Sequence, residues 1–208
     1  MRIIVAPVIA GILSVTLSVS CSDRADAQTR IGVRTGVNIA SFSVSDAPPY
    51  SQWDDSHLSS YVGPAAGGIV QVDLGGPLFL RFEPMYIQKG AKLNFEYTTY
   101  DIVYSFERPL KLEFIELPVN AGLRMGSGPL SPYVFVGPNI GYMITKGYSK
   151  TDFAVEVGIG AGYSISDVAS IIVDVRYSAG LNDLYNQEGD AKLSSRGIQP
   201  MIGFLFLP

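Results

Sequence analysis

Between Phe153 and Leu181 the chain reads FAVEVGIGAGYSISDVASIIVDVRYSAGL, and its side chains alternate in character over nearly the whole length. Phe153, Val155, Val157, Ile159, Ala161, Tyr163 and Ile165 occupy the odd positions, against Ala154, Glu156, Gly158, Gly160, Gly162 and Ser164. After Ser166-Asp167-Val168-Ala169 the pattern resumes, with Ile171, Val173, Val175, Tyr177, Ala179 and Leu181 set against Ile172, Asp174, Arg176, Ser178 and Gly180. A period of two sends side chains to opposite faces, so the stretch is expected to form two β-strands joined by a short turn. One face carries no charge. The other holds Glu156, Asp174 and Arg176 among glycines.

A soluble sandwich buries such an apolar face against a second sheet, but its strands commonly run only about 5–6 residues. These run about a dozen, and glycine is a poor choice for a solvated surface. A transmembrane barrel meets both observations. Its strands need roughly 9–11 residues, apolar toward lipid and polar or small toward the lumen. In a narrow barrel side chains fill the lumen, so large ones must face small ones. On the simplest register of the turn, Asp174 and Arg176 lie opposite Gly162 and Gly160.

The 208-residue chain opens MRIIVAPVIAGILSVTLSVSCSDRADAQTR. Arg2 before an apolar run, then the small-x-small triplet Ala25-Asp26-Ala27, reads as a secretory signal peptide over residues 1–27, leaving a mature domain of residues 28–208. Two other readings stay open, an uncleaved membrane helix and lipoprotein processing at Cys21. With cleavage after Ala27 the mature chain has no cysteine, which removes disulfides and thiol chemistry. No later apolar stretch is long enough for a membrane helix, so any spanning falls to strands. A net charge of −4 argues against nucleic acid as a partner, and 22 glycines with 12 tyrosines suit a β-rich wall with an aromatic girdle.

Counting along the mature chain gives eight strands. The first is Arg30 to Val44, with Ile31, Val33, Thr35, Val37 and Ile39 outward. The second is Tyr61 to Leu74, with Ile69, Gln71 and Asp73 inward. The third runs from Leu78 to about Lys89, with Arg81, Glu83 and Lys89 inward. The connection from Gly90 to Pro109, with Tyr97, Tyr100 and Tyr104, reads as an extension of its flanking strands above the membrane. The fourth, Leu110 to Arg124, changes parity between Leu112–Phe114 and Ile115–Leu123, which a β-bulge near Phe114 would reconcile. The fifth is Pro132 to Thr145, the opening hairpin supplies two more, and Arg196 to Phe206 completes the set. The expected fold is all-β: an eight-stranded, antiparallel, up-and-down transmembrane β-barrel. Long and short connections alternate strictly, which puts short turns and both termini in the periplasm. Pro64, Pro84, Pro118, Pro138 and Pro200 fall inside strands, where a closed wall leaves no edge to hide a missing N–H.

Three segments carry a family likeness. Leu112-Glu113-Phe114-Ile115-Glu116-Leu117-Pro118, Pro132-Tyr133-Val134-Phe135-Val136-Gly137-Pro138-Asn139-Ile140-Gly141-Tyr142 and Val173-Asp174-Val175-Arg176-Tyr177-Ser178-Ala179-Gly180-Leu181 resemble the PorT-like outer-membrane β-barrel family. The likeness covers the chain from Arg30 onward. It implies one small barrel in the outer membrane of a Gram-negative envelope, similar in size to the OmpA and OmpX types. Its implied partners are outer-membrane lipid and lipopolysaccharide, the barrel-assembly machinery, and a surface or secretion partner protein. Such barrels often end on an aromatic residue, whereas Leu207-Pro208 follow Phe206 here.

Alternation sends ten charges inward: Arg34, Asp73, Arg81, Glu83, Lys89, Glu116, Arg124, Glu156, Asp174 and Arg176. Five acids balance five bases, and the expected role is a structural ion-pair network plugging the lumen, since buried charge is tolerated only when paired. A conduction path is the competing reading. His57, the one histidine, lies beside Asp54, Asp55 and Ser56, and neighbours within one loop do not make a nucleophile–base site. Gly158-Ile159-Gly160-Ala161-Gly162 sits mid-strand with no helix after it, unlike a phosphate loop. Asp183, Glu188 and Asp190 match no known cation-loop spacing. The sequence thus points to a structural or surface-interaction role with no catalysis, metal or cofactor. A lipid-modifying enzyme, a small pore and a secretion accessory are the alternatives.

Overall fold

The computed structural model describes residues 28–45, 58–99, 102–126, 128–145, 151–182 and 192–208. Among the described residues nine strand segments follow one another: β1 (Thr29–Ser45), β2 (Leu58–Asp73), β3 (Leu78–Phe82), β4 (Met85–Thr99), β5 (Ile102–Arg124), β6 (Leu130–Met143), β7 (Thr151–Ser166), β8 (Ala169–Gly180) and β9 (Lys192–Phe206). The ladder runs β1-β9-β8-β7-β6-β5, both β3 and β4 bridge β5 to β2, and β2 pairs back onto β1. Every pairing is antiparallel, and because β1 pairs with both β9 and β2 the sheet closes on itself. Segments β3 and β4 are two halves of one stave, interrupted at Glu83-Pro84. The architecture is therefore an eight-stave, up-and-down barrel with no free edge.

Alternation decides which way each residue points. Val155, Val157, Ile159, Val173, Val175 and Tyr177 are exposed on the outer wall, while Glu156, Asp174 and Arg176 between them are buried inside. The start of β1, the end of β9 and the short turns at Gly75-Gly76, Gly126 and Asp167-Val168 gather at one end, the turn end. Gly75 and Gly76 hold φ of 91° and 60°, which a side chain would resist. At the opposite, loop end β4 and β5 stay paired as far as Thr99 and Ile102, so the connection between Gly90 and Pro109 is a continuation of two strands.

The five prolines Pro64, Pro84, Pro118, Pro138 and Pro200 each sit at a defect in the wall. A residue's N–H and C=O point to the same neighbouring strand, so proline weakens pairing on one flank only. Pro200 lies where the β1–β9 ladder skips from Gly36–Met201 to Ile39–Ile198. Pro138 lies where β5–β6 skips from Pro118–Asn139 to Ala121–Val136. Pro64 falls within the register shift between Ser60 and Ala65. Pro84 lies in the break between β3 and β4, and Pro118 lies across that break from Glu83, whose N–H donates to the Pro118 carbonyl at 3.1 Å. The opposite flank stays in the ladder, as in Pro64–Val37, Pro118–Asn139, Pro138–Val155 and Pro200–Val175.

Two local expectations need correction. Strand β5 has no bulge near Phe114, because its pairing with β6 keeps one register from Phe114–Met143 to Arg124–Tyr133. Leu112 and Phe114 point inward, where Phe114 is fully buried with Phe42, Met85, Ile87 and Met143. An apolar side chain here fills the barrel and does not face lipid. The β7–β8 register also differs: Asp174 pairs with Gly160 and Arg176 with Gly158. The turn is the two-residue Asp167-Val168, and the ladder shifts between Ser164 and Ser166, which moves the pairing along the strand.

The glycines on the inner wall make room for rings. Phe79 lies directly across from Gly122, Phe135 from Gly158 and Tyr133 from Gly160. A methyl on Gly122 would come within 2.1 Å of the Phe79 ring, and one on Gly158 within 2.3 Å of the Phe135 ring. Large-against-small filling of the lumen is thus built from cross-strand pairs of aromatic and glycine.

Candidate functional site

Strands β1, β3, β7 and β8 and the β3–β4 break point charged side chains at the middle of the barrel. Arg34 of β1 donates from Nη1 to Glu83 Oε1 at 2.7 Å and from Nη2 to Asp174 Oδ1 at 2.7 Å. Arg176 of β8 donates from Nη1 to Glu83 Oε2 at 2.6 Å and to Glu156 Oε2 at 3.1 Å. Its Nη2 reaches Asp174 Oδ1 at 3.1 Å. Arg81 of β3 stands 3.6 Å from Glu83 and 3.5 Å from Asp174. Three guanidinium groups thus interleave with three carboxylates, and the side chains of Arg34, Glu83, Glu156, Asp174 and Arg176 have no solvent exposure. At so low a dielectric these contacts are strong only because each charge is met from several sides.

The pattern continues toward both ends. On the loop side Lys89 Nζ lies 2.7 Å from Glu116 Oε1 and 2.7 Å from Asp152 Oδ2. Asn139 donates to Glu116 Oε2 at 2.6 Å and Glu156 Oε1 at 3.0 Å, tying this group to the centre. Ser195 Oγ donates to Asp152 Oδ2 at 2.9 Å. On the turn side Arg124 Nη2 meets Asp73 Oδ1 at 2.9 Å, and Arg30 Nε stands 3.6 Å from Asp73 Oδ2. Gln71 links this group inward, donating to Asp73 and accepting from Arg81 Nε and Nη2.

All ten inward charges read from the sequence stand in these contacts, nine of them buried and Arg124 half-buried at the turn-end mouth. Asp152 and Arg30 belong to the same set and were not on that list. Both obey the parity of their strands, one position beyond Phe153 and four before Arg34, so the signal was present. Apolar groups pack around the ions. Arg81 sits 4.9 Å from the ring centres of both Phe79 and Tyr133, and Lys89 sits 5.2 Å from that of Phe114. Tyr133 also donates its hydroxyl to Asp174 Oδ2 at 2.9 Å.

Outside, the absence of a bulge leaves Lys111 and Glu113 on the lipid-facing parity near the loop end. Glu113 accepts from the Tyr86 hydroxyl at 3.1 Å, Gln88 donates to Tyr86 at 2.8 Å, and Tyr61 donates to Gln88 at 3.1 Å. Amphipathic side chains in this position suit a membrane–water interface. The segments holding Ala25, Ala27 and Cys21, His57 with Asp54, Asp55 and Ser56, Tyr100, and Asp183, Glu188 and Asp190 lie outside the described residues, as do the side chains of Tyr97 and Tyr104. Among the described residues no group of His, Cys, Asp and Glu is arranged to hold a metal ion.

A closed antiparallel wall, apolar outside and ionised within, defines a small outer-membrane β-barrel. The chain belongs to the outer membrane protein beta-barrel domain family, whose model matches residues 22–186. That membership places it in the Gram-negative outer membrane. Among solved structures it is similar to the outer membrane protein OprG from Pseudomonas aeruginosa, at 13% identity and a TM-score of 0.52, covering 88% of this chain and 96% of that one. Neisserial surface protein A, NspA, aligns at 14% identity and TM-score 0.48 over 86% of this chain and 97% of that one. The outer membrane protease OmpT from Escherichia coli aligns at 10% identity and TM-score 0.47 over 88% and 99%. At these identities the OprG likeness speaks for the fold alone, and the other two carry no further argument. No curated protein matches the sequence.

Proposed function

We propose that this protein is a non-conducting, non-catalytic barrel that serves the outer membrane as a structural or surface-interaction element. One observation carries the reading: ion pairs and hydrogen bonds run without a break across the lumen, from Asp73 through Arg81, Glu83 and Glu156 to Lys89 and Asp152. Ions crossing such a lumen would have to displace charges already satisfied by one another, at a cost of several kcal/mol per broken pair. Lys89, Asp152 and Ser195 are bonded together yet buried, so they offer no face to a substrate.

The turn end with both termini faces the periplasm in this reading, and the longer connections face outward to lipopolysaccharide, surface polymer or a partner protein. The finer placement among PorT-like barrels, and the signal peptide over residues 1–27, belong to the same proposal. Planar-bilayer recording of the refolded protein tests it. A flat baseline under applied voltage is the expected result, and reproducible ohmic steps would overturn the plug. Mass spectra of envelope lipids from cells with and without the protein test the absence of catalysis, which a new or missing lipid species would contradict.

A further inference from the structure

We propose that the turn-end mouth of the lumen binds a small oxyanion, a phosphate or phosphomonoester group. A cavity of about 70 Å³ opens there, several times the ~10–15 Å³ that one water requires. Three strands contribute a guanidinium group each, Arg30 from β1, Arg81 from β3 and Arg124 from β5. Three others contribute hydroxyls, Ser131, Ser164 and Ser170, of which Ser131 already donates to the Gly128 carbonyl at 3.1 Å. No acidic side chain lines the cavity. Asp73 and Asp174 pair with these arginines without forming part of the wall.

Charge and hydrogen-bond supply both exceed local demand. Arg30 and Arg124 share the single carboxylate of Asp73, whereas at the other end of the lumen Lys89 is bracketed by two carboxylates, Glu116 and Asp152. The surplus cation therefore sits at the turn-end mouth. Arg30 Nε and Arg81 Nη1 make no hydrogen bond and meet a carboxylate only at long range, Asp73 Oδ2 at 3.6 Å and Asp174 Oδ2 at 3.5 Å. Ser170 accepts from Arg30 Nη1 at 3.2 Å, which leaves its own proton to donate. Arg81 is immobilised by Gln71 and by the Phe79 and Tyr133 rings, so its Nη1, paired with Asp174 only at 3.5 Å, is held in place before any ligand arrives. A fixed fork of donors with excess positive charge is what recognises phosphate oxygens.

Titration calorimetry on the folded barrel in a neutral detergent, at constant ionic strength in chloride, tests the site with inorganic phosphate in one arm. Mixed micelles carrying lysophosphatidic acid form the other. Saturable heat with free phosphate assigns the site to a soluble ion, and heat only with the lysolipid assigns it to a headgroup. Ser164→Asp, which sets a carboxylate at the exposed cavity wall, and Arg124→Gln are each expected to weaken binding at least tenfold. Both variants must keep the heat-dependent gel shift of a folded barrel, which the rim position of these residues permits. No saturable heat with either probe, or binding that Ser164→Asp leaves unchanged, would overturn the assignment.

Discussion

Arg176 and Glu83 are 93 positions apart in sequence and 2.6 Å apart in the lumen, each without solvent exposure. The contact spans the barrel interior between β8 and the broken β3–β4 stave. It shows how the fold handles charge: alternation removes ionised groups from lipid, and closure of the wall brings them within reach of one another. Replacing Arg176 by Met leaves Glu83, Glu156 and Asp174 short of a cation, and should cost about 3–5 kcal/mol in urea unfolding from detergent micelles. Adding Glu83→Gln should return part of that loss. Strictly additive losses would show that the pair is not coupled.

The lipid face should tolerate charge according to depth. Ile159, 66% exposed on the outer wall, lies mid-strand, while Ile165 lies at the turn end. Ile159→Arg should cost roughly 2–4 kcal/mol in bilayer unfolding, and Ile165→Arg about 0–1 kcal/mol. Equal costs would contradict the membrane level assigned to β7.

Glycines opposite rings should reject side chains. Gly158→Leu drives carbon into the Phe135 ring and is expected to destabilise by about 1–3 kcal/mol. Phe135→Ala in the same chain should relieve much of that, since the ring is what the new side chain meets. Unfolding midpoints of the two single variants and the double variant read this directly.

The inward aim of Phe114 separates the observed strand from a bulged one. Phe114→Ala empties a packed interior position and should cost about 3–5 kcal/mol. Ile115→Ala, on the lipid side of the same strand, should cost clearly less in the same unfolding assay. The reverse order would restore the bulge.

Much of this fold is legible in the sequence, and the failures have two causes. Period two sorts Val155 from Glu156 with no knowledge of the partner strand, and the same rule reaches Asp152 and Arg30 when carried to the strand ends. Phe114 misleads because its hydrophobicity alone points to lipid, whereas a narrow lumen also needs apolar filler beside its ions. The partners of Arg176, and the ladder defects that accommodate Pro138 and Pro200, depend on register between strands. Register in the β7–β8 hairpin turns on a local shift near Ile165, which composition does not reveal.

Site-directed spin labelling in bilayers tests the inside–outside sorting itself. A nitroxide is placed by cysteine substitution at each position from 153 to 160 in turn, with Cys21 replaced by serine. Collision with oxygen should peak at 153, 155, 157 and 159 and fall at the even positions between them, while a water-soluble nickel chelate reaches none of the mid-wall odd sites. Odd positions shielded from oxygen, or open to the chelate, would mean that this face meets protein or water, and the barrel would not be a membrane barrel.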